Sequence, residues 1–261
     1  MKYEFFSKTD PGRLRDNNED SVVFDLTSGL AVLADGMGGY NAGEIASGMA
    51  TESIKTDLGQ WLHEAGPKAT PLEVRRAMFR IVDKSNQSIF TSAHANPQYS
   101  GMGTTLVVGV FIGDKLVLGH IGDSRCYRLR TGQLVQLTRD HSLLQEQLDA
   151  GLITPAQAAT SANKNLVTRA LGVEDEVSLE VNEYQVEHDD LYVMCSDGLS
   201  DMVGDDSVAQ LMRNAKTLED LADQLVGAAN AAGGRDNISV LLARAATGGE
   251  KLSKASTLPG N

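Results

Sequence analysis

The apolar and polar positions of the chain follow two periods, one typical of strands and one typical of helices. Residues 31–34 are a short continuous apolar run, which predicts a buried strand that ends at Asp35. From Ala42 the apolar positions recur every three or four residues, which predicts a long helix with Ile45 on its buried face. Residues 70–73 combine an N-cap, a first-turn proline and a capping-box glutamate. A second helix is therefore expected at about 71–93, beside the first on a sheet.

The rest of the chain predicts strands joined by tight turns, followed by further helices. Residues 104–112 and 115–121 are rich in β-branched and apolar residues and flank Gly113-Asp114, which is typical of a hairpin turn. Other strands are predicted at 3–7, 22–26, 126–129, 134–137, 191–196 and 238–243, and other helices near 207–214 and 218–232. Because antiparallel hairpins follow paired helices, the pattern favours an α+β layered domain over a parallel nucleotide-binding sheet.

The chain reads as one domain at 1–246 with a short tail. Residues 141–165 are expected to form a mobile helical insertion, with a second capping box at Thr154 and Gln157. The tail, 247–261, is rich in Gly, Ser and Lys and is predicted to be disordered. We find no internal repeat and no linker that would divide the chain.

Composition excludes several classes of partner. The 261 residues are 41% hydrophobic and 22% charged, with a net charge of -12. Such an acidic chain is not expected to bind nucleic acid or an anionic membrane, and no apolar run approaches the roughly 20 residues of a membrane span. The N-terminus lacks the apolar core of a signal peptide. Cys126 and Cys195 lie in apolar runs, which indicates reduced core thiols and a cytoplasmic protein.

Aspartates at the ends of predicted strands are the candidate chemistry. Asp35, Asp123 and Asp197 each follow an apolar strand, whereas Asp20 and Asp236 come just before strands. If these strand ends meet, four or five carboxylates converge, and their repulsion requires cations. An oxygen-only, carboxylate-rich site suits Mg²⁺ or Mn²⁺, and two such ions can activate water for hydrolysis. For any single Asp-Gly a plain turn is the more ordinary interpretation, and spacing alone leaves it open for all three.

Eight segments, in order over roughly residues 5–244, resemble the metal-dependent protein phosphatases, the type 2C Ser/Thr phosphatase family, in its compact bacterial form. The segments are RDNNED (15–20), ADGMGGYNAGEIAS (34–47), GTT (103–105), GHIGDSRCYRL (119–129), LTRDHS (137–142), NLVTRALG (165–172), MCSDGLSDMV (194–203) and GGRDNISV (233–240). The resemblance implies a four-layer αββα sandwich, in which two antiparallel sheets are flanked by helix pairs and the metals lie at one end.

The resemblance also implies roles for individual residues. Asp35 matches the aspartate that bridges two core metals, and Gly36 matches the glycine that contributes its carbonyl. The further matches are Asp197 and Asp236 as the other core ligands, Asp123 with Asp197 at a third metal site, Glu19 and Asp20 at second-shell or water-mediated positions, and Arg15 as the ligand of the substrate phosphate. The insertion at 141–165 matches a flap that influences the choice of substrate.

One position departs from the family pattern. Bacterial members commonly carry histidine where this chain has Tyr40, and animal members place a histidine where it has Met37. That histidine is thought to protonate the leaving alkoxide. Tyrosine, with a usual pKa near 10, is a weaker acid at neutral pH, so Tyr40, His141 or water on the third metal is the candidate proton source.

The expected function is hydrolysis of phosphoserine and phosphothreonine in proteins by metal-activated water, reversing a bacterial Ser/Thr kinase. The alternative is a catalytically weak or inactive binding module on the same fold. The retained Asp35, Asp197 and Asp236 favour the enzyme, because a scaffold has no need of mutually repelling carboxylates. The expected cofactors are two Mn²⁺ or Mg²⁺ ions and a third, and the expected partners are phosphorylated proteins and a cognate kinase. A monomer is expected.

Overall fold

Two antiparallel sheets stack face to face in the computed structural model, which describes residues 1–39, 42–154, 157, 158 and 166–246. The first sheet has the order β1-β11-β10-β7-β8, formed by β1 (Lys2–Asp10), β11 (Ile238–Ala246), β10 (Leu191–Cys195), β7 (Arg125–Arg130) and β8 (Gln133–Gln136). The second has the order β2-β3-β5-β6-β9, formed by β2 (Asp20–Asp25), β3 (Leu30–Met37), β5 (Leu106–Ile112), β6 (Lys115–Ile121) and β9 (Glu180–Gln185). A short strand, β4 (Gly103–Thr104), pairs with the end of β3.

Helices cover the outer face of each sheet. The second sheet carries α1 (Ala42–Ala65) and α2 (Pro71–Ala95), which also pack against each other. The other described helices are α3 (Leu143–Asp149), α4 (Asp197–Ser200), α5 (Asp205–Asn214) and α6 (Leu218–Ala231), of which α6 packs on β1 and β11. Short 3-10 turns lie at Gly66–Lys68 and Pro97–Tyr99. The layers are therefore helix, sheet, sheet, helix, and the predicted αββα sandwich is confirmed.

Three apolar layers hold these elements together. Between the sheets, the Phe111 ring lies 5.4 Å from that of Phe5 and 5.3 Å from that of Tyr192, both edge-to-face, which is a favoured aromatic geometry. One outer core lies under α1 and α2, and the other lies under α5 and α6. Both cysteines are free and buried, as the sequence predicts. Among the described residues, none of the helices is both long and apolar enough to cross a bilayer.

Most predicted elements are present, with bounds shifted by a few residues. The capping box of α2 forms as expected, since the Glu73 amide donates to Thr70 Oγ1 at 3.3 Å and the Thr70 amide donates to Glu73 Oε2 at 2.8 Å. The hairpin of β5 and β6 turns at Gly113-Asp114. A reciprocal bond also joins Thr154 to Gln157, within the predicted insertion.

Two element predictions are wrong, and one strand has no counterpart among the predicted elements. The strand β3 continues past Asp35 to Met37, because its last two residues pair with β4. Ile45 of α1 is exposed, and the buried stripe instead runs through small residues and then larger ones at every fourth position, Ala42, Ala46, Ala50, Ile54, Leu58 and Leu62. The strand β9 was missed because its sequence, EVNEYQ, is largely polar. Most of the predicted second helix of the insertion, at 159–165, and the tail at 247–261 lie outside the described residues.

Candidate metal centre

Two neighbouring strands bring the first pair of carboxylates together. In the β2–β3 ladder Asp20 is the Cα partner of Asp35. The Gly36 amide donates to the Glu19 carbonyl at 3.0 Å, which extends the pairing by one step. A Cβ on Gly36 would lie 2.1 Å from the carbonyl oxygen of Gly43, so only glycine lets the start of α1 pack this closely. The glycine after Asp35 is therefore required by the approach of the helix.

The first sheet contributes Asp197 and the turn before β11. Ser196 Oγ donates to Asp20 Oδ2 at 2.8 Å, which ties the end of β10 to the start of β2. Asp197 follows as the first residue of α4. A Cβ on Gly198 would lie 2.0 Å from the Asn237 carbonyl oxygen, so this glycine lets α4 pack against the turn. The sheets thus meet at one end of the sandwich, where their aspartates converge.

Asn237 joins the turn that holds Asp236 to the N-terminal loop. Its Oδ1 accepts from the Glu19 amide at 2.8 Å, and its Nδ2 donates to the carbonyls of Pro11 and Asn17 at 3.0 and 2.8 Å. Asp236 Oδ1 accepts from the Asn237 amide at 2.9 Å. This role of Asn237 was not predicted, and the adjacent Asp-Asn pair is the local sequence signal for it.

Asp123 lies in the tight turn after β6. Gly122 before it has a φ of +97°, a value that favours glycine, and a Cβ there would lie 2.7 Å from Thr105 Cγ2. Thr105 Oγ1 lies 2.7 Å from Ser124 Oγ and also accepts from the Asp35 amide at 3.0 Å. A chain of hydrogen bonds therefore links the backbone that carries Asp123 to the backbone that carries Asp35.

The convergence is visible in the acidity of the carboxyl groups. Burial is the largest cause that raises the pKa of Asp20 and of Asp123, each to about 6. Burial also raises the pKa of Asp35 and of Asp197, with further increases from the surrounding carboxylates, Asp20 being the first for Asp35 and Asp123 the first for Asp197. The surrounding carboxylates thus make Asp35 and Asp197 harder to ionise, and a cation among them would remove that cost.

Arg15 lies at the rim of this cluster. Its Nη2 donates to Asp236 Oδ2 at 2.7 Å, and its side chain is 49% exposed. A guanidinium offers five N–H groups in a fixed fork, and one of these nitrogens is used here. The position suits an anion that approaches the carboxylate cluster from solvent.

The donor set fits a hard divalent cation. Asp20 Oδ1 is buried without a hydrogen-bond partner, which is costly unless a cation or a proton compensates it. Among the residues that the structure describes, the converging side chains offer oxygen alone, as Mg²⁺ and Mn²⁺ prefer. The candidate ligands of such an ion are therefore the carboxylates of Asp35, Asp197 and Asp236 and the Gly36 carbonyl, with Asp123 and Asp20 as further candidates. Glu19 lies next to them, and burial raises its pKa.

A nitrogen-containing cluster nearby is a poorer metal site. His120, His141 and Glu180 place one potential ligand atom each within 4.8 Å of one another. The two imidazoles are stacked, with centroids 4.6 Å apart and planes 18° apart, so their in-plane lone pairs do not converge on one point. His120 Nε2 is also 2.8 Å from the Arg139 carbonyl oxygen. This cluster is better described as a packed support.

His141 clamps the turn before Asp123, a role that no sequence motif predicts. Its amide donates to the Gly122 carbonyl at 2.9 Å, and its Nδ1 accepts from the Gly122 amide at 3.2 Å. Burial, followed by the neighbouring His120, lowers the pKa of His141 to about 4. A neutral, buried imidazole is a poor proton donor at neutral pH, so the structure disfavours His141 as the acid. Tyr40, the other candidate, lies outside the described residues.

Comparison with known proteins agrees with this geometry. The family model described as "Protein phosphatase 2C" matches residues 13–243. The Listeria monocytogenes protein named serine/threonine phosphatase stp is 37% identical over 245 residues, which are 93% of this chain and 95% of that protein. The crystal structure of the Mycobacterium tuberculosis serine/threonine phosphatase PstP/Ppp superposes with a TM-score of 0.85 and 35% identity, covering 94% of this chain and 100% of that one. A structure of the PstP catalytic domain with two manganese ions superposes with a TM-score of 0.82 and 35% identity. The match covers 93% of this chain and 97% of that one.

Proposed function

The chain belongs to the protein phosphatase 2C family, and on that premise we propose that it is a metal-dependent protein serine/threonine phosphatase. Its reaction is the hydrolysis of phosphoserine and phosphothreonine in proteins. One observation carries the proposal: aspartates from both sheets converge at one end of the sandwich, where burial and mutual repulsion raise their pKa values. Such a cluster is expensive in a folded protein unless it binds cations.

Each carboxylate of the centre has a proposed task. Asp35, Asp197, Asp236 and the Gly36 carbonyl would hold the core ions, with Asp35 as their common ligand, and Asp123 with Asp197 would hold a third. Asp20 and Glu19 act through intervening waters, and the unpartnered Asp20 Oδ1 supports such a role. When bound, divalent ions of this type supply an acidified water as nucleophile and an attractive field for the phosphoryl oxygens. Mn²⁺ and Mg²⁺ both suit this all-oxygen donor set.

The chain's own residues bind and orient the substrate. Arg15 is proposed to hold the phosphate, because its guanidinium is permanently charged and its fork matches two phosphoryl oxygens. Its bond to Asp236 fixes the side chain beside the cluster before substrate arrives. His141 keeps the Gly122 peptide, and with it Asp123, in place from behind. Pre-positioned charge of this kind stabilises a developing transition state without further reorganisation.

The biological setting follows from the same proposal. The substrates are phosphorylated proteins, and a Ser/Thr kinase that makes those phosphoesters is the expected counterpart. A cytoplasmic, monomeric enzyme agrees with the acidic composition and the two reduced cysteines. The inactive binding module is the less favoured alternative, because a scaffold would gain nothing from a buried carboxylate oxygen without a partner.

Hydrolysis of matched phosphoserine, phosphothreonine and phosphotyrosine peptides tests the proposal. Each peptide is assayed with Mn²⁺, with Mg²⁺ and with EDTA, beside p-nitrophenyl phosphate. We expect metal-dependent turnover of the serine and threonine peptides and none in EDTA. Absence of turnover with either metal, from protein shown to be folded, would leave the binding module as the better account.

A further inference from the structure

A groove adjoins the carboxylate centre and has no role in the reaction as described so far. Its volume is about 950 Å³, near the upper end of the range of roughly 300–1,000 Å³ for ligand pockets. Phe79 of α2, Met37 of β3 and residues of the segments 167–170 and 173–179 line it. We call it the lateral groove.

The lateral groove is continuous with the strand that carries Asp35. Met37 is two residues further along β3, and side chains two apart lie on the same face of a strand. A Cβ on Gly103, the partner of Met37, would lie 2.7 Å from Val173 Cγ2 and 3.6 Å from Met37 Cε. The side chains of Met37 and Val173 therefore cover Gly103. A substrate peptide that leaves the metal centre along this side would enter the groove.

One wall of the lateral groove is held rigidly. Asn86 of α2 is fully buried, and its Nδ2 donates to the carbonyls of Glu174 and Asp175, each at 3.0 Å. Its Oδ1 accepts from the Gly172 amide at 2.7 Å. Gly172 has a φ of +83°, and a Cβ there would lie 2.2 Å from Ile89 Cγ2. A wall that is fixed in this way can bind a ligand without the entropic cost of ordering a loop.

The lining combines exposed apolar groups with exposed carboxylates. Phe79 and Val173 of the lining are 39% and 51% exposed, and the Arg75 guanidinium lies 5.6 Å from the centroid of the Phe79 ring. Glu174 and Glu176 are exposed on the same lining. The cation in the lining, Arg169, has its Nη1 3.5 Å from His141 Nε2 and so lies on the side of the metal centre. The lining of the lateral groove therefore favours a ligand that carries one apolar side chain and one basic side chain.

We infer that the lateral groove binds the segment of a phosphoprotein substrate next to the phosphorylated residue, when that segment carries an apolar side chain and a lysine or arginine. This inference rests on the proposed phosphatase function and adds a sequence preference to it. The apolar side chain packs against Phe79 and Val173, and the basic one pairs with Glu174 or Glu176. p-Nitrophenyl phosphate has no flanking chain, so its hydrolysis does not use the groove.

Charge reversal in the groove tests the inference. The double variant Glu174→Lys/Glu176→Lys is compared with Glu52→Lys/Glu64→Lys, which reverses two exposed carboxylates on α1 and changes the net charge equally. The substrates are a phosphothreonine peptide with flanking leucine and arginine, a second in which glutamate replaces the arginine, and p-nitrophenyl phosphate. Phe79→Ala is measured beside them.

For the arginine peptide we expect the groove variant to lower kcat/KM by roughly five- to thirty-fold, mostly through KM, since surface ion pairs are individually weak. The glutamate peptide should improve, and Phe79→Ala should lower kcat/KM for both peptides about ten-fold. The control pair should change neither peptide's rate by more than about twofold.

Two results would overturn the inference while leaving the phosphatase intact. One is an arginine-peptide rate that falls no more in the groove variant than in the control pair. The other is an equal loss with p-nitrophenyl phosphate, which would mean that the substitutions disturb the metal centre. Absence of metal-dependent p-nitrophenyl phosphate turnover in the unmodified protein would instead refute the proposed function, and the groove's substrate role would fall with it.

Discussion

Asp20 and Asp35 are directly opposite each other in the antiparallel ladder of β2 and β3. Directly opposed residues have Cβ atoms about 4.5–5.5 Å apart on one face of the sheet, where like charges are destabilising. Asp20 Oδ1 is buried without a partner, and burial, followed by the nearby Asp20, raises the pKa of Asp35. This pair therefore needs either a proton or a cation, and several predictions about metal and pH depend on it.

Removing one charge of the pair should stabilise the metal-free protein. In protein dialysed against EDTA, Asp35→Asn should increase the free energy of unfolding by about 1–3 kcal/mol, because it removes a buried like charge. The same variant should lose most of the Mn²⁺-induced increase in the free energy of unfolding, which for the unmodified protein reaches about 2.7 kcal/mol at a hundred times Kd. Thermal unfolding with and without Mn²⁺ measures both effects.

Asp25, at the other end of β2, is the matched control. Ser28 Oγ and the Thr27 amide donate to its carboxylate at 2.7 and 2.9 Å, and these bonds outweigh burial and lower its pKa. Asp25→Asn should therefore slightly lower the free energy of unfolding of the metal-free protein, and it should keep the full Mn²⁺-induced stabilisation. If Asp35→Asn and Asp25→Asn have the same stability in EDTA and the same stabilisation by Mn²⁺, Asp35 is an ordinary strand aspartate.

The stability of the metal-free protein should depend on pH through Asp123. Its native pKa is about 6, above the unfolded value, so the native state binds more protons between about pH 4 and pH 6. This contribution therefore lowers stability as pH rises through that window. Asp123→Asn removes it, so the variant should match the parent near pH 4 and exceed it by roughly 2–3 kcal/mol at pH 7. Urea unfolding in EDTA at both pH values is the test, and a pH-independent difference would contradict it.

His141 should act by position and not as an acid. His141→Leu leaves the buried Gly122 amide without an acceptor, which should lower the free energy of unfolding by about 1–3 kcal/mol. The same substitution should lower kcat/KM at least ten-fold. His141→Asn offers an amide oxygen near the position of Nδ1 and should recover most of the activity with an unshifted pH profile. Exposed His63→Leu is the control.

Calorimetric Mn²⁺ titration separates this role of His141 from proton transfer. If the imidazole positions Asp123, His141→Leu should bind Mn²⁺ more weakly and His141→Asn should bind it nearly normally. If both variants bind Mn²⁺ like the parent and both are inactive, His141 transfers a proton and the positioning role is wrong.

Arg15 should bind phosphate directly. Arg15→Ala should lower kcat/KM about 10- to 100-fold for peptide and p-nitrophenyl phosphate alike, as expected for a charge-assisted hydrogen bond. Arg15→Lys should recover only part of the lost kcat/KM, because an ammonium group lacks the planar fork of a guanidinium. Inhibition by inorganic phosphate should weaken in parallel, whereas Arg235→Ala, an exposed neighbour of the centre, should leave it unchanged. Undiminished phosphate inhibition in Arg15→Ala would exclude the role.

Residue patterns predicted an α+β layered domain and its candidate carboxylates, whereas the four-layer αββα order came from the family resemblance. Asp35 and Asp197 could be singled out because the buried apolar runs before them are unambiguous, although the strand before Asp35 continues to Met37. The capping box at residues 70–73 fixed the start of α2 for the same local reason. Local patterns of this kind need no knowledge of the partner element.

Features that depend on a partner element could not be read in this way. The extension of β3 to Met37 depends on pairing with β4, which lies more than sixty residues away. The alanine stripe of α1 is buried because the helix approaches the sheet closely, which apolar size alone does not indicate. The clamp by His141 requires the turn at Gly122 to come within 3.2 Å, a contact between segments with no shared motif.

The most direct test of the metal centre is a comparison of Asp197→Asn with Asp206→Asn. Both substitutions remove one carboxylate near the start of a helix, α4 or α5, but only Asp197 lies in the cluster. Hydrolysis of a phosphothreonine peptide with Mn²⁺ and with EDTA, and Mn²⁺ binding by calorimetry, are measured for each.

We predict that Asp206→Asn and the unmodified protein turn over the peptide only with metal. We predict that Asp197→Asn loses at least 100-fold in kcat and binds fewer Mn²⁺ ions. Full activity of Asp197→Asn, or turnover that persists in EDTA, would contradict a carboxylate-held metal centre as the source of the activity.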